Sequence, residues 1–361
     1  MKTRILIAGH GWRSGIFFRA VANLHDEMEI VGILMHTKQR AMEVAEETGI
    51  FTTDNFEEAL QLKPDFVILC VPRLVMKDYI IRFMKAQIPI LCETPPGKDI
   101  EELNELWREK LRYNGKVQVA EQYFMQPYYH AVQNVIDSGI LGDVVNVNMS
   151  AIHGYHAMSI FRKWLGLDCE NCSIRGSRFT FPVTKTRDRS GWHTTGEVLH
   201  PVRDRVELVF ENGKTAFFDF DHEHYFSPIR GRRWNVQGVR GEIINTSVCY
   251  LDHKNRPVTE CMHREDDGVY NIDGWSHMYI SFRGERIYEN PFPGMRINDD
   301  EIAVTDMMMR MKNYIKTGQD FYSLRDGLQD AYLDFSMEKA LTTGKNIKTE
   351  PQSWYECVGR L

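Results

Sequence analysis

A short apolar run, followed at once by glycines and then by a helical pattern, constrains this chain more than any other feature. Residues 5–8 are Ile-Leu-Ile-Ala, a run typical of a strand buried on both faces. Gly9 and Gly11 come next, and apolar residues then recur at helical spacing through residues 16–24. Glycines let backbone amides approach a phosphate group, and the helix presents its positive end to that charge. The stretch therefore predicts a strand, a phosphate-binding turn and a helix.

The third small residue of such a turn falls on Ser14, and Gly15 follows one position later. Because serine is small enough to pack against the strand, the turn is still predicted to hold a pyrophosphate. The alternative is a tight turn that binds nothing. The residues of this turn that are predicted to bind the cofactor are Gly9, Gly11, Trp12, Arg13 and Ser14.

Strands and helices alternate through the first third of the chain. Strands are predicted at residues 29–35, 65–72, 89–93 and 116–120, and helices at 40–48, 56–62, 77–86 and 100–112. This alternation with short connections indicates an α/β fold with a doubly wound parallel sheet. We therefore predict a Rossmann dinucleotide-binding domain over residues 1–121, with its ligand crevice at the carboxyl ends of the strands.

The carboxyl end of the second predicted strand carries no carboxylate that could bind a ribose. Its residues are Met-His-Thr-Lys-Gln-Arg at positions 35–40. Thr37, Lys38 and Arg40 would suit a 2′-phosphate, which favours NADP, or they simply begin the next helix on its solvated face. The cofactor is therefore predicted to be NAD or NADP, with Thr37 and Lys38 as candidate contacts.

After Glu121 the pattern changes to a region rich in strands. Helices are predicted at residues 128–138, 301–317 and 326–343, and strands at 144–150, 173–180, 205–210, 215–221, 233–239, 242–248 and 277–282. Residues 211–214, Glu-Asn-Gly-Lys, are typical of a hairpin turn. We predict an α+β second domain over residues 122–361, built on a largely antiparallel sheet.

Composition and charge exclude several classes of protein. The formal net charge of −6 offers no electrostatic footprint for nucleic acid. No apolar run reaches the roughly 18 residues that a membrane span needs, and the run before Gly9 is too short for a signal peptide. The seven cysteines are scattered, and their odd number does not suggest a disulfide framework. We expect a cytoplasmic protein without nucleic-acid or membrane partners.

The order of several segments resembles a known family. Residues 90–95 read Ile-Leu-Cys-Glu-Thr-Pro, residues 120–127 Ala-Glu-Gln-Tyr-Phe-Met-Gln-Pro and residues 137–143 Asp-Ser-Gly-Ile-Leu-Gly-Asp, and a histidine-bearing helix start follows. With the glycine turn, this order is similar to the glucose–fructose oxidoreductase and inositol dehydrogenase family, Gfo/Idh/MocA. The resemblance implies a Rossmann domain followed by an open-faced sheet for substrate binding and oligomerisation. It also implies NAD(P)-dependent chemistry on sugars or polyols and a homo-dimer or homo-tetramer.

The family's Glu-Lys-Pro motif is only partly present. Glu93 and Pro95 match it, but Thr94 replaces the lysine. The resemblance implies a cofactor contact for Glu93 and for Pro72, which ends the preceding predicted strand. It implies a substrate contact for Thr94, which has neither the charge nor the reach of lysine.

The family's second motif, Asp-x-Gly-x-His before a helix, corresponds here to residues 152–156, Ile-His-Gly-Tyr-His. Gly154 and His156 fit the motif, and Ile152 replaces the acid. The match makes His156 the predicted acid/base, since the pKa of imidazole lies near working pH. His153 and Tyr155 flank it and are candidates for sharing or replacing that role. The alternative is a histidine that only packs or caps a helix.

Other polar residues are candidates for the substrate pocket. Glu121 ends the last parallel strand at the predicted ligand edge. Trp192 and His193 pair an aromatic ring with an imidazole, which suits a sugar face. Further candidates are the polar residues 221–225 and the arginines Arg230, Arg232 and Arg233, which would hold an anionic group or lie in a solvated loop.

The first functional hypothesis is an NAD(P)-dependent oxidoreductase that acts on a carbohydrate, polyol or related small molecule by hydride transfer. The altered motifs leave two alternatives, a lyase or hydrolase that uses transient oxidation, and a non-catalytic sugar or nucleotide sensor. A third is a metal-dependent enzyme with ligands from His153, His156, His193, His222 and His224. Nothing in their spacing compels a site, and the Cys169–Cys172 pair lacks a second pair, so no metal is predicted.

Overall fold

The computed structural model describes residues 2–268 and 274–355. The first part of the chain alternates strands and helices. Its elements are β1 Thr3–Ala8, α1 Ser14–Asn23, β2 Met28–Leu34, α2 Lys38–Thr48, β3 Thr52–Thr53, α3 Phe56–Gln61, β4 Phe66–Leu69, α4 Arg73–Lys85, β5 Ile90–Cys92, α5 Ile100–Tyr113 and β6 Val117–Val119.

The six strands of this part form one parallel sheet in the order β3-β2-β1-β4-β5-β6. This is the strand order of a dinucleotide-binding Rossmann sheet, and it confirms the predicted doubly wound α/β fold. Strand β4 is buried along its whole length, as expected for a parallel strand covered by helices on both faces. The chain reverses its direction of winding between β1 and β4, so a ligand crevice is expected beyond their carboxyl ends.

The second part of the chain is mostly strands. Its elements are α6 Pro127–Asp137, β7 Val144–Ser150, α7 Gly154–Leu165, β8 Cys172–Thr180, β9 Val183–Thr184, β10 Arg187–Asp188, β11 Gly191–Trp192, β12 Val198–Leu199, β13 Val202–Phe210, β14 Thr215–Phe220, β15 Arg233–Gly238, β16 Gly241–Ile244, β17 Ser247–Leu251, β18 Pro257–Cys261, β19 His263–Asp267, β20 Ser276–Phe282, β21 Glu285–Glu289, α8 Asp299–Thr317, α9 Leu324–Thr343 and β22 Ile347–Lys348. Two short 3-10 turns lie at Tyr123–Met125 and His222–Tyr225.

A nine-stranded sheet dominates the second part, in the order β18-β17-β16-β15-β7-β14-β13-β8-β22. Its strands pair antiparallel except for β7 and β14, which confirms the predicted, largely antiparallel sheet. Helices α7 and α9 pack on one face. A groove of about 980 Å³, with Asn148, Ser177 and Phe217 among its wall residues, crosses the opposite face. The homo-dimer or homo-tetramer packed through this face stays a prediction.

One predicted strand and one predicted helix show the largest differences from the structure. The strand predicted at residues 242–248 is in fact the two antiparallel strands β16 and β17. Asn245 turns the chain between them with a φ of 55°, a conformation that asparagine tolerates better than most residues, and the apolar residues on both sides hide this turn in the sequence. Helix α4 begins at Arg73, directly after Pro72, four residues earlier than predicted.

The last two helices return to the first sheet. Met307, Met308 and Met311 of α8 are fully buried in one core with Phe17 and Val21 of α1. Helix α9 packs in the same way against α5 and β6. The division of the chain at residue 121 therefore stays a prediction, since residues beyond it complete the first core. In the described residues, no helix is both long and apolar enough to cross a bilayer.

Candidate active site

A cavity of about 810 Å³ lies beyond the carboxyl ends of the first sheet, where the second part of the chain covers them. Its position is the one that the strand order predicts for a ligand. The lining residues are Trp12, Arg13, Glu93, Thr94, Gln122, Tyr123, Gln126, His153, His156, Arg189, Tyr225, Phe226, Arg232, Arg264, Trp275, Asn298, Asp299 and Asp300.

The conformation of the glycine turn that leads into this cavity depends on a close backbone contact at Gly9 and on hydrogen bonds of Ser14. Gly9 has a φ of 90° and lies so close to the next strand that a Cβ there would be 2.5 Å from the carbonyl oxygen of Cys70. Only glycine fits that position. Ser14 is buried, and its hydroxyl donates to the Gly11 carbonyl at 2.7 Å and accepts from the Gly11 N–H at 3.0 Å. Serine therefore fills the third small position, as predicted.

The start of α1 has the properties of an anion site. No side chain caps α1 within the described residues, and its first turn has no acidic residue. A Cβ added to Gly11 would meet nothing within 4 Å. Uncapped helix amides beside an open glycine surface are what a pyrophosphate requires. The residues present therefore fit the phosphates of a dinucleotide.

Arg13 links this turn to the end of β5. Its guanidinium donates to the Glu93 carboxylate at 2.7 Å and lies 3.8 Å from Asp300 at the start of α8. Burial raises the pKa of Glu93, and Arg13 opposes that rise. The two residues predicted for the cofactor thus form one ion pair in the cavity wall.

The other predicted cofactor residues lie at strand ends without such contacts. Thr37 is exposed and caps α2, where its hydroxyl accepts from the Arg40 N–H at 3.3 Å. Lys38 is the first residue of that helix, and Pro72 caps α4. The helix start proposed as one explanation for Thr37 and Lys38 is therefore present, while a contact to a 2′-phosphate stays a prediction.

His156 is held in the first turn of α7 by a buried carboxyl group. Its Nδ1 lies 2.5 Å from Oε2 of Glu121, and Glu121 is fully buried. The other oxygen of Glu121 accepts from the Tyr123 N–H at 2.9 Å, and the Tyr123 ring lies 4.4 Å from the imidazole, centre to centre. Glu121 was predicted to contact the substrate, but its carboxyl group faces His156 and is not part of the cavity lining.

Burial changes the proton affinity of both partners. It raises the pKa of Glu121 to about 8 and lowers that of His156 to about 3, because neither charged form is solvated. Arg13 lowers the pKa of each group as well. At neutral pH the pair is therefore uncharged, with one proton between Oε2 and Nδ1 and one proton on Nε2.

His153 lies beside this pair at the cavity wall. Its ring is 4.7 Å from the His156 ring, centre to centre. Its Nδ1 contacts the Tyr225 hydroxyl, which also accepts the backbone N–H of His153 at 3.1 Å. Burial lowers the pKa of His153 to about 3. His153 is thus a neutral hydrogen-bonding group at working pH.

Thr94 lines the cavity, as predicted, while its neighbour in the other motif, Tyr155, does not. Tyr155 is 4% exposed and packs behind His156 in the core of the first sheet. Its hydroxyl has no partner within the described residues. Adjacent positions of a helix point about 100° apart, and in this helix His156 faces the cavity while Tyr155 turns into the core.

Trp192 and His193 also lie outside the cavity lining. The Trp192 ring is 68% exposed and stacks with Arg187 at 5.6 Å. His193 pairs with Asp188 at 2.8 Å. Both belong to the small β10–β11 hairpin, whose intervening residue Arg189 reaches the cavity in their place.

Several lining residues were not found from the sequence. Arg264 pairs with Asp299 through two hydrogen bonds, at 2.7 and 2.8 Å, and both residues line the cavity with Asp300 and Trp275. These residues come from β19, the segment before β20 and the start of α8. The only local sequence feature that could have indicated these lining residues was the acid-rich start of α8. Acidic residues there are also typical of any helix N-terminus.

The five histidines considered as metal ligands do not gather into one site. Within residues 2–268 and 274–355, no three side chains of His, Cys, Asp or Glu are arranged to hold a metal ion. His224 instead caps its own 3-10 turn with Asp221. Cys169 and Cys172 are free thiols.

The comparison with known proteins agrees with the glycine turn and the strand order. Residues 3–121 match the model of the GFO_IDH_MocA family, described as an oxidoreductase family with an NAD-binding Rossmann fold. This match places the first third of the chain, its Rossmann domain, in the Gfo/Idh/MocA family. The match confirms the predicted resemblance over these residues and the predicted class of cofactor, a nicotinamide dinucleotide.

Two curated relatives match different shares of this chain. "Putative oxidoreductase YteT" of Bacillus subtilis (strain 168) is 28% identical over 271 residues, which are 73% of this chain and 56% of the relative. Inositol 2-dehydrogenase of Rhizobium meliloti (strain 1021) is 26% identical over 152 residues, which are 42% of this chain and 46% of the relative. The matches thus span about half the length of these relatives.

Solved structures share the fold over the full length. An NAD-binding oxidoreductase from Klebsiella pneumoniae matches with a TM-score of 0.69 at 14% sequence identity, over 98% of this chain and 100% of the other. At that identity the likeness concerns the fold alone. It extends through the nine-stranded sheet, beyond the residues that the family model covers.

Proposed function

We propose that this protein oxidises a hydroxyl group of a carbohydrate, polyol or related small molecule with NAD or NADP, and reduces the carbonyl product in reverse. His156 is the proposed acid/base. The observation that supports this most is that His156 lines the cavity with Glu93 and Thr94 while Glu121 holds its Nδ1 at 2.5 Å. An inositol dehydrogenase among the relatives supports a polyol as the substrate class.

The cofactor would be held by the first wall of the cavity. The uncapped amides of α1 and the open face of Gly11 suit the diphosphate, and the Arg13–Glu93 pair lies between that turn and β5. When bound, the nicotinamide supplies the acceptor for the hydride that leaves the hydroxyl-bearing carbon. Thr94 would contact the substrate through a neutral hydrogen bond.

The Glu121–His156 pair can take up the hydroxyl proton without creating a buried positive charge. In the form that accepts a proton, Glu121 is a carboxylate, Nδ1 carries the imidazole proton and Nε2 is free. The substrate proton moves to Nε2 as the Nδ1 proton moves to Glu121, so the imidazole stays neutral throughout. Glu121 thus acts as a positioning residue, through His156. It would assist proton transfer in a chain where Ile152 replaces the family's acid and Thr94 replaces its lysine.

The other wall of the cavity suits a ring bearing several hydroxyl groups. Aromatic rings of Trp275, Tyr123 and Phe226 line it, and such faces pack against the C–H surfaces of sugars. The uncharged His153–Tyr225 pair adds hydrogen-bonding groups beside the proposed base. This combination of apolar faces and few convergent polar groups is typical of a small-molecule site.

Titration of the purified protein with NAD and NADP, followed by an absorbance screen with myo-inositol and common sugars, tests the proposal. We expect saturable binding of at least one dinucleotide and formation of the reduced cofactor with a polyol or sugar. Failure to bind either dinucleotide would overturn the proposal. Binding without turnover of any compound would favour the sensor alternative.

A further inference from the structure

The charges around the cavity do not cancel. Arg13 is paired with Glu93 and Asp300, and Arg264 with Asp299 and, at 3.0 Å, with Asp266. Each carboxylate that lines the cavity is therefore already engaged by one of these two arginines. Any further positive charge in the wall has no counter-charge there.

Two such charges are present, on Arg189 and Arg232. Both line the cavity, and within the described residues neither forms an ion pair with a carboxylate. Arg189 lies over the ring of Trp12 at 4.0 Å, beside the glycine turn. Arg232 lies near the ring of Tyr225 at 5.7 Å and donates to the Tyr225 carbonyl at 3.4 Å. Two unbalanced guanidinium groups in a chain of net charge −6 make this cavity locally attractive to anions.

The two arginines face different parts of the cavity. Arg189 is next to Trp12 in the phosphate-binding turn, so its nearest anion would be the cofactor. Arg232 is one aromatic ring away from the reaction centre, because the Tyr225 hydroxyl at the other end of that ring contacts His153, and His153 contacts His156. A substrate with one hydroxyl group on His156 would therefore share the cavity with the Arg232 guanidinium.

We propose that the natural substrate is a sugar acid or polyol acid whose carboxylate binds Arg232. This rests on the proposed oxidoreductase function and narrows its substrate class. A guanidinium binds a carboxylate through two parallel hydrogen bonds and fixes its orientation, so the carboxylate would set which hydroxyl group meets His156. A single guanidinium matches one carboxylate, whereas a phosphate ester usually gathers more donors.

Matched pairs of compounds test this directly. With saturating NAD or NADP, we would compare D-glucuronate with D-glucose and D-galacturonate with D-galactose, with D-glucose 6-phosphate as a further anion. We expect at least one acid to have a kcat/KM about tenfold or more above that of its neutral twin, the size of effect that one charge-assisted contact supplies. The phosphate ester should not match it.

Single variants distinguish the proposed roles of Arg232 and Arg189. Arg232→Gln should remove most of the preference for the acid, through KM, while the KM of the cofactor is unchanged. Arg189→Gln should instead raise the KM of the cofactor. Arg230→Gln is the matched control. Arg230 lies in the same loop, its side chain bonds only the carbonyls of Ile229 and Pro182 among the described residues, and it does not line the cavity.

Each failure has a distinct meaning. Equal use of acids and neutral twins, or an equal loss for both in Arg232→Gln, would overturn the sugar-acid proposal and leave the oxidoreductase function intact. Absence of dinucleotide binding would overturn the function itself. If the cofactor binds and no compound turns over, calorimetric titration of the acids into the protein–cofactor mixture decides, because binding must be present and must depend on Arg232.

Discussion

The two walls of the cavity are built in different ways. The wall formed by residues 9–14 and 93–94 consists of turns at strand ends, and its shape depends on backbone geometry and glycines. The opposite wall consists of side chains from α7, the loop before β15, β19 and α8, which are far apart in the chain. Under the proposed function, the first wall would hold the cofactor, and side chains of the second wall would determine the substrate without altering the fold.

Replacing the acid/base residue should give the largest effect and test whether the walls are separable. His156→Gln should lower kcat by roughly 10²- to 10⁴-fold, the usual contribution of a positioned acid or base. Dinucleotide affinity should be unchanged, because His156 belongs to the second wall. Steady-state kinetics and a binding titration check both statements. Tyr155→Phe is the control, since its buried hydroxyl has no partner in the described residues and its loss should leave kcat unaltered.

The pH dependence should reveal the partner of His156. Oxidation needs the form with ionised Glu121 and a free Nε2, so its rate should rise with pH and level off above the Glu121 pKa of about 8. Reduction needs the protonated form and should fall over the same range. The charged groups that act on Glu121 are Arg13, Lys163 and Asp300.

The Glu121→Gln variant tests whether Glu121 is the group that determines this pH dependence. An amide that donates to Nδ1 would fix the tautomer with a proton on Nε2, and kcat for oxidation should fall roughly 100-fold, less than on loss of the base itself. The step in the pH profile near the Glu121 pKa should disappear. A profile identical to that of the parent protein would contradict the positioning role.

A substitution in the glycine turn should change the affinity for the dinucleotide and leave kcat unchanged. Gly11→Ala should fold normally, because its Cβ has open space, yet weaken dinucleotide binding about tenfold by blocking close approach of the phosphates. Gly15→Ala is the matched control, with only the Arg19 guanidinium at 3.5 Å from the added Cβ. Fluorescence titration with thermal melts distinguishes the two variants. Equal affinity for Gly11→Ala and the parent would argue against phosphates at this turn.

The smallest effect is expected at the far side of the second wall. Tyr225→Phe removes a hydroxyl group that accepts from the His153 N–H, and kcat/KM should fall about two- to tenfold, the scale of one ordinary hydrogen bond. Tyr250→Phe, which loses a bond to Glu260 outside the cavity, serves as control. A fall as large as that of His156→Gln would mean that Tyr225 takes part in proton transfer.

The contrast between the walls also explains what could be predicted from the sequence. Strand β1, the glycine turn and α1 are consecutive, so their pattern predicted the cofactor side of the cavity, and the alternation of strands and helices after them predicted the Rossmann fold. His156 was found because its motif is local to the start of α7. Glu121 was found as a polar residue at the right strand end, but its carboxyl group turns to His156, and no local pattern encodes that direction.

Long-range contacts account for the residues that were missed. Arg264 and Asp299 meet across 35 positions, and Arg13 and Asp300 across nearly the whole chain. Trp192 was assigned by its chemistry, yet its hairpin presents Arg189 to the cavity instead. Which member of such a hairpin points inward depends on its register against a distant element, which periodicity along one segment does not contain.

The return of α8 to the first sheet limits how freely this cofactor module could be exchanged between proteins. Met307, Met308 and Met311 supply part of the interior that Phe17 and Val21 need. A fragment that stops after β6 would expose this apolar surface and would be expected to aggregate. Any recombination, natural or engineered, that transplants the nucleotide-binding end must therefore carry the distant C-terminal helices with it.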